Sequence, residues 1–581
     1  MARTSCSAEM KFIDVSARAD SIVSPSGGRS FDDTSLFKKE TKTSRDSWLQ
    51  LGHNCMALNG SQQEMPENPT TVAFFSSVRS GSDCKFTTNP KIEISFTANH
   101  SSAGLTFYFA QTYPGKMTIT WYNAAGSKLV SDTFEPDALI YFASKQVSNY
   151  QKIVIEFTET TWPEQYIQLQ YILYGKYINF IGDTVQTATI TEEIDTTGSE
   201  VSINSGELDV LDEDDEFNIG NNAGSWQYIQ KMQEVTLTEY VDDASINMGT
   251  YFIEDFSFKD NVATFNLIDS VGILDLYTFY DGDIYANVKA GTIIKSIFDT
   301  VGTLKYSLDE DLANVELTGY LGTVTCREAL QMVAFVIGAV VDDSRSNVIS
   351  IKKASRKIDH IIDIDRKFNG NTSIAQEDYY SGVSIECSKY ALSSQSTDIY
   401  DDTLPAGDNK ITFNQPFKTS TITCSGGTIK EKHTNWMIVT MAAEGNCKVT
   451  GTAYEESKFT VSKNHALDGG QTNNVKTYSS ITLYNATTIQ EKLTELLKYW
   501  DLQKTLEMKY LIESEKTGEW VTVKDSNRFS SSTLIESQTI DLTGGFISTA
   551  TCRGYTLINT NGIYMGNGEL YAEASEGGAL S

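Results

Sequence analysis

Residues 248–353 constrain the fold of this chain more than any other stretch. They read as strand, helix, helix and strand with clear punctuation. Ile293, Ile294, Ile297, Phe298 and Val301 recur at helical spacing and predict a helix over 290–301 with one apolar face, stopped by Gly302. A second helix is predicted to begin at Thr325. Thr325 and Glu328 make a T-x-x-E capping box, in which each side chain satisfies an otherwise unpaired backbone N–H. Leu330, Val333, Ala334 and Ile337 form its buried stripe, and Gly338 loosens its end. Residues 341–347 then read as a turn into a strand over 348–351. The stretch holds no nucleophile–base pair, metal cluster or phosphate loop. A packed domain without visible chemistry points to assembly.

The rest of the chain is strand-like. Met117, Ile119 and Trp121 alternate with Thr residues, and Ile153, Ile155 and Phe157 with Val154 and Glu156. Ile167, Leu169, Tyr171 and Leu173 alternate with Gln168, Gln170 and Ile172. Period two is the mark of a strand with one buried face, so residues 70–176 are expected to form a jelly-roll β-sandwich. Residues 1–69 read as an arm or partial strand pair, 177–285 as a β-barrel domain and 286–365 as an α+β domain. Residues 366–484 read as a further β-rich domain. Residues 485–571 read as a small barrel with one helix, starting near Thr488 with a second box, Thr488 to Glu491. Residues 572–581 form a frayed tail. The expected fold class is therefore β-rich α+β, multidomain, with few helices, and a length of 581 residues suits several cores.

A net charge of -30 repels nucleic acid and anionic membranes over a Debye length of about 8 Å. It is compatible with a surface past which DNA slides without sticking. The 8 cysteines are scattered with no C-x-x-C, which excludes a common zinc knuckle. The N-terminus has no apolar leader, and the apolar run 332–341 is too short to span a bilayer. The expectation is synthesis in a cytoplasm without membrane insertion.

None of the five histidines, His53, His100, His360, His433 and His465, stands three to five residues from another. There is no H-E-x-x-H, G-x-S-x-G, Walker A or Rossmann fingerprint. Cys326 opens the second helix, where a helix N-terminus lowers a thiol pKa, but its apolar surroundings favour a packing role. The acidic run 207–216 fails as a calcium loop, because Phe217 stands where the sixth-position Gly belongs when counting from Asp212. It reads as a solvated acidic loop. No catalytic residue, metal or cofactor is assigned, and the chain is not expected to be an enzyme. Trp121, Tyr122, Tyr141, Trp162 and Tyr166 could stack on sugar rings, with packing inside the sandwich as the competing role.

The run MGTYFIEDFSF…ATFNLIDSVGILD…AGTIIKSIFDTVG…TGYLGTVTCREALQMVAFVIGAVVDDSRSNVISIKK resembles the hub proteins of phage tail baseplates, including tail-associated proteins of siphophages. LTELLKYWDLQKTLEMKYLIESEKTGEWVTVKD…IESQTIDLTGGFISTATCRGY resembles the last barrel of the same hubs. The stretch from Asp46, DSWLQLGHNCMALNG…VSNYQKIVIEFTETTWPEQYIQLQYILYG, resembles a galactose-binding-like jelly roll carried by some members. The resemblance implies a homotrimer in the virion tail tip, with two related barrels per subunit. Six barrels would then ring the channel through which DNA passes unbound. It implies as partners the distal tail protein, tail tube protein, tape-measure protein and a spike or receptor-binding protein. The chain ends at Ser581, just past the last barrel, so any peptidoglycan cleavage is expected to belong to another protein. Two other readings stay open: a polysaccharide-binding tail adhesin acting through residues 70–176, and a cell-wall hydrolase.

Overall fold

The computed structural model describes residues 4–29, 32–38, 48–49, 63–64, 73–213, 215–221, 224–229, 232–242, 244–466, 473–524, 529–560 and 563–566. Residues 9–180 with 216–235 form one unit; residues 1–8, 181–215 and 236–581 form the other. The architecture is β-rich and multidomain, as the alternating patterns require.

The smaller unit is organised by two long antiparallel strands, Lys91–Phe109 and Ile140–Thr160. Their register shifts between Ser95 and Gly104, so the two halves of each strand meet different neighbours. Lys91–Ser95 pairs with Ile22–Ser26 and with Lys152–Glu156. Thr106–Phe109 pairs with the strand Gln168–Leu173. Ile92 and Ile94 from one half and Leu105, Phe107 and Phe109 from the other enter one core, so the sheet folds over itself. Gly104 makes the bend possible. Its φ is +153°, and a Cβ there would lie 2.2 Å from the Ala143 carbonyl oxygen.

Two details of this unit differ from the sequence reading. The strand Ile22–Ser26, assigned to an arm, is part of the sandwich sheet. The expected alternation over 167–173 is broken by a register shift between Leu169 and Tyr171. One extra residue flips the faces. Ile167, Leu169 and Ile172 therefore enter the main core, while Tyr171 and Leu173 pack with Tyr108 in a separate cluster. Apart from Trp48–Leu49, the family resemblance over residues 46–60 lies outside the described residues, as does the tail at 572–581.

In the larger unit, the helix Ala290–Val301 ends at Gly302 with φ +75°. The helix Cys326–Ile337 carries both bonds of the box: the Glu328 N–H donates to Thr325 Oγ1 at 3.2 Å, and the Thr325 N–H to Glu328 Oε2 at 3.0 Å. The third helix, Ala486–Trp500, starts differently from expectation. Its N-cap is Asn485, whose Oδ1 accepts from the N–H groups of Thr487 and Thr488 at 2.9 and 3.1 Å. The Thr488 hydroxyl is buried without a hydrogen-bond partner. Asn competes well with Thr for this position, and its preference decides where the helix begins.

One sheet runs in the order Glu234–Val241, Ala244–Lys259, Val262–Ile268, Ser205–Leu211, Val185–Glu193, Phe529–Asp541, Ile547–Thr560, Lys504–Leu511 and Lys367–Gln376. Trp520–Lys524 also pairs with Phe529–Asp541, and Ile358–Ile362 pairs with Trp520–Lys524. The boundary drawn at 366 cuts between two strands that both belong to this C-terminal group. Residues 207–211 of the acidic run 207–216, expected in a solvated loop, lie in the strand Ser205–Leu211, which is paired on both sides. The long strands Gly382–Leu404 and Gly445–Asn464 leave this sheet and build a small sandwich around Met437, Val439, Cys447 and Val449. No helix among the described residues is long and apolar enough to cross a membrane.

Candidate functional site

A buried charged cluster of the larger unit sits where the sequence reads as a plain turn. After the strand Ala339–Asp342, residues Asp343, Ser344 and Arg345 are all buried. Arg345 adopts φ +54°, which turns its side chain back into the protein. Its Nε donates to Glu192 Oε1 at 2.8 Å and its Nη2 to Glu192 Oε2 at 3.1 Å. Nη2 also donates to the Glu515 carbonyl at 2.8 Å. Gln538 Nε2 donates to Glu192 Oε2 at 2.8 Å, while Gln538 Oε1 accepts from Ser548 Oγ at 3.0 Å and Tyr510 Oη at 3.2 Å. The guanidinium stays charged because Glu192 offsets the cost of its burial.

Asp343 meets a second acid. Asp269 caps the short helix Ser270–Leu274 by accepting from the Gly272 N–H at 2.8 Å, and it accepts from the Asn204 N–H at 2.6 Å. Asp343 accepts from Asn204 Nδ2 and from the Ser270 N–H, each at 3.0 Å. Burial raises both carboxyls, and the charge of Asp343 raises Asp269 further. Asp343 moves to about 6 and Asp269 goes well above its ordinary value, so the pair shares a proton. These groups are almost wholly out of water. What the arrangement does is fasten the turn at 343–345 to Val185–Glu193 and, through Gln538, to Phe529–Asp541, two neighbouring strands in the middle of the sheet.

In the smaller unit, His100 forms a second buried polar centre that the sequence does not signal. Its Nδ1 lies 2.9 Å from Asp14 Oδ2 and its Nε2 3.0 Å from Asp20 Oδ2. Asp14 N-caps the helix Val15–Asp20, and Asp20 accepts from the N–H groups of Thr97 and Ala98 at 2.8 and 2.9 Å. Burial works against the charged ring, but hydrogen bonds to the two carboxylates outweigh it and raise the His100 pKa. The partners stand 86 and 80 residues away, so no local motif could have revealed the site.

The sequence-predicted residues are not gathered into one groove. Trp121 is fully buried in the sandwich core, where Met117, Ile119 and Trp121 of the strand Pro114–Tyr122 point inward. That corrects its candidacy as a sugar-stacking residue. Tyr122 faces the other way, with Lys152 Nζ 5.7 Å from its ring centre. Tyr141 packs against the core. Tyr166 lies 5.3 Å from Phe75 and 5.4 Å from the Arg29 guanidinium. Trp162 is 45% exposed. Cys326 is buried, and burial raises its thiol to about 11, the reverse of an activated nucleophile. No group of three or more His, Cys, Asp or Glu suited to a metal ion occurs among the described residues.

No family model matches the chain, and no curated protein does. Among solved structures it is similar to the 43 kDa tail protein of prophage MuSo2 from Shewanella oneidensis, at 10% identity and a TM-score of 0.38, covering 64% of this chain and 95% of that one. It is similar to prophage tail protein gp18 from Listeria monocytogenes at 8% identity and a TM-score of 0.37, covering 64% and 91%. A likeness to the lectin domain of lectinolysin, complexed with Lewis B antigen, has 12% identity and a TM-score of 0.18, covering 28% and 94%.

Proposed function

We propose that this chain is a structural hub subunit of a phage tail tip or baseplate, and that three copies close a ring around the channel. The observation that carries the reading is the junction between Val185–Glu193 and Phe529–Asp541. Thr189–Glu193 pairs with Ser537–Asp541, which joins an N-terminal and a C-terminal strand group edge to edge in one sheet. Two strand modules held side by side in one subunit are what a threefold ring with six modules requires. The resemblance of residues 248–353 and of the C-terminal segment to baseplate hubs supports the same reading. A wall carrying three times the chain's charge of -30 would repel DNA from the channel rather than trap it.

In this role the subunit is not an enzyme. Its partners are the distal tail protein, tail tube protein, tape-measure protein and a spike or receptor-binding protein, and its place is the virion tail tip. Mass photometry of the full chain, with imaging of the assembled particle, tests this. A trimer at the tail tip is expected; a stable monomer in the mature particle would overturn it.

A further inference from the structure

The described residues hold seven cysteines as free thiols. Two of them meet in the small sandwich. Cys424, in the strand Thr423–Ser425, has its Sγ 3.5 Å from that of Cys447, in the strand Gly445–Asn464. The register pairs Cys424 with Val449, which makes Cys447 its diagonal neighbour two residues along. The two backbones are pressed together beside the pair: a Cβ on Gly426 would lie 2.1 Å from the Asn446 carbonyl oxygen. A disulfide has its sulfurs about 2.0 Å apart, so the thiols have only about 1.5 Å to close. Side-chain rotation, with a small approach of the two strands, supplies that.

We propose that Cys424 and Cys447 are a disulfide-forming pair, oxidised by a small-molecule disulfide. Cys424 is partly exposed and Cys447 is buried. Burial, with the contact to Cys424, pushes the Cys447 thiol up to about 11, so Cys447 stays protonated at neutral pH and leaves the first attack to Cys424. The Cys424 thiolate attacks one sulfur of the small disulfide, and one small thiolate leaves. Cys447 then gives its proton to solvent and attacks the Cys424 sulfur of the mixed disulfide, releasing the second small thiolate. Two protein thiols are oxidised and one small disulfide is reduced to two thiols. The bond closes a loop holding the strands Thr428–Lys432 and Trp436–Met441, whose Ile429, Met437 and Val439 share a core with Cys447. It therefore staples this sandwich.

The test incubates the full chain with glutathione disulfide, blocks remaining thiols and maps peptides by mass spectrometry. One cross-linked pair joining Cys424 to Cys447, lighter by two hydrogens, is expected. Cys447→Ala should instead trap glutathione on Cys424, and the oxidised wild type should melt a few degrees above the reduced form. Cys424→Ser, at the more exposed position, should abolish the cross-link with an unchanged circular dichroism spectrum. Both thiols remaining alkylatable in the folded, oxidised protein would overturn the proposal, as would Cys424 pairing with any other cysteine.

Discussion

Arg345 and Glu192, 153 residues apart in the chain, form a two-pronged ion pair at 2.8 and 3.1 Å with both side chains almost wholly out of water. Glu192 lies in the strand that joins the two halves of the large sheet. The pair is thus a tie between the turn at 343–345 and that seam.

Removing one member leaves the other as an uncompensated buried charge. Arg345→Ala is expected to destabilise the larger unit by about 3–5 kcal/mol, read by urea unfolding followed by circular dichroism. Arg345→Lys keeps the charge but not the fork, and should recover only part of the loss. A loss under 1 kcal/mol for the Ala variant, the range of a surface pair, would show that the tie carries little.

Glu239, in the strand Glu234–Val241, is fully buried with neither carboxylate oxygen hydrogen-bonded. Burial raises it to about 8, and the charge of Asp541 adds to this. The folded chain thus keeps a proton that the unfolded chain releases above about 4.5. Stability is full below that pH and falls as pH rises toward about 8. Glu239→Gln, which mimics the protonated acid, should be more stable than wild type by about 4 kcal/mol at pH 7.5 and equal to it near pH 4. Thermal melts across this range check it, and a pH-independent difference would count against the cause given.

His100 works in the same direction through a different balance. Its pKa is raised by Asp20 and Asp14, while hydrogen bonds lower the pKa of each aspartate. The histidine's contribution is fully present below about 6.5 and is lost as pH rises through its raised value. The aspartates' contribution is lost as pH falls through their lowered values. His100→Gln should therefore lower the melting temperature of the sandwich more at pH 6 than at pH 9. An equal drop at both values would mean that the histidine acts by packing alone.

The start of the helix Ala486–Trp500 offers a contrast between neighbours. Asn485→Ala removes the cap and a bond from Nδ2 to the Glu316 carbonyl at 2.8 Å, and should cost about 1–2 kcal/mol. Thr488→Val removes a hydroxyl that bonds nothing and should be neutral or stabilising. Chemical denaturation of both variants decides between them, and the opposite ranking would restore Thr488 as the cap.

Local patterns foretold local structure. The helices at 290–301 and from 326, their Gly ends and the Thr325–Glu328 box follow from spacing and capping chemistry, which act over a few residues. The apolar alternation that placed Trp121 also says why it faces the core rather than a ligand. What alternation could not foresee is the shift between Leu169 and Tyr171, because a bulge is set by the partner strand.

The sequence by itself determined the β-rich class, the helix ends and the apolar faces, since these depend on neighbours in the chain. Only the tertiary structure decided that 343–345 is a buried tie rather than a solvated turn. It alone joined Asp14 and Asp20 to His100, and Cys424 to Cys447. A charge enters the interior only where a partner offsets its lost hydration, and those partners lie tens to hundreds of residues away.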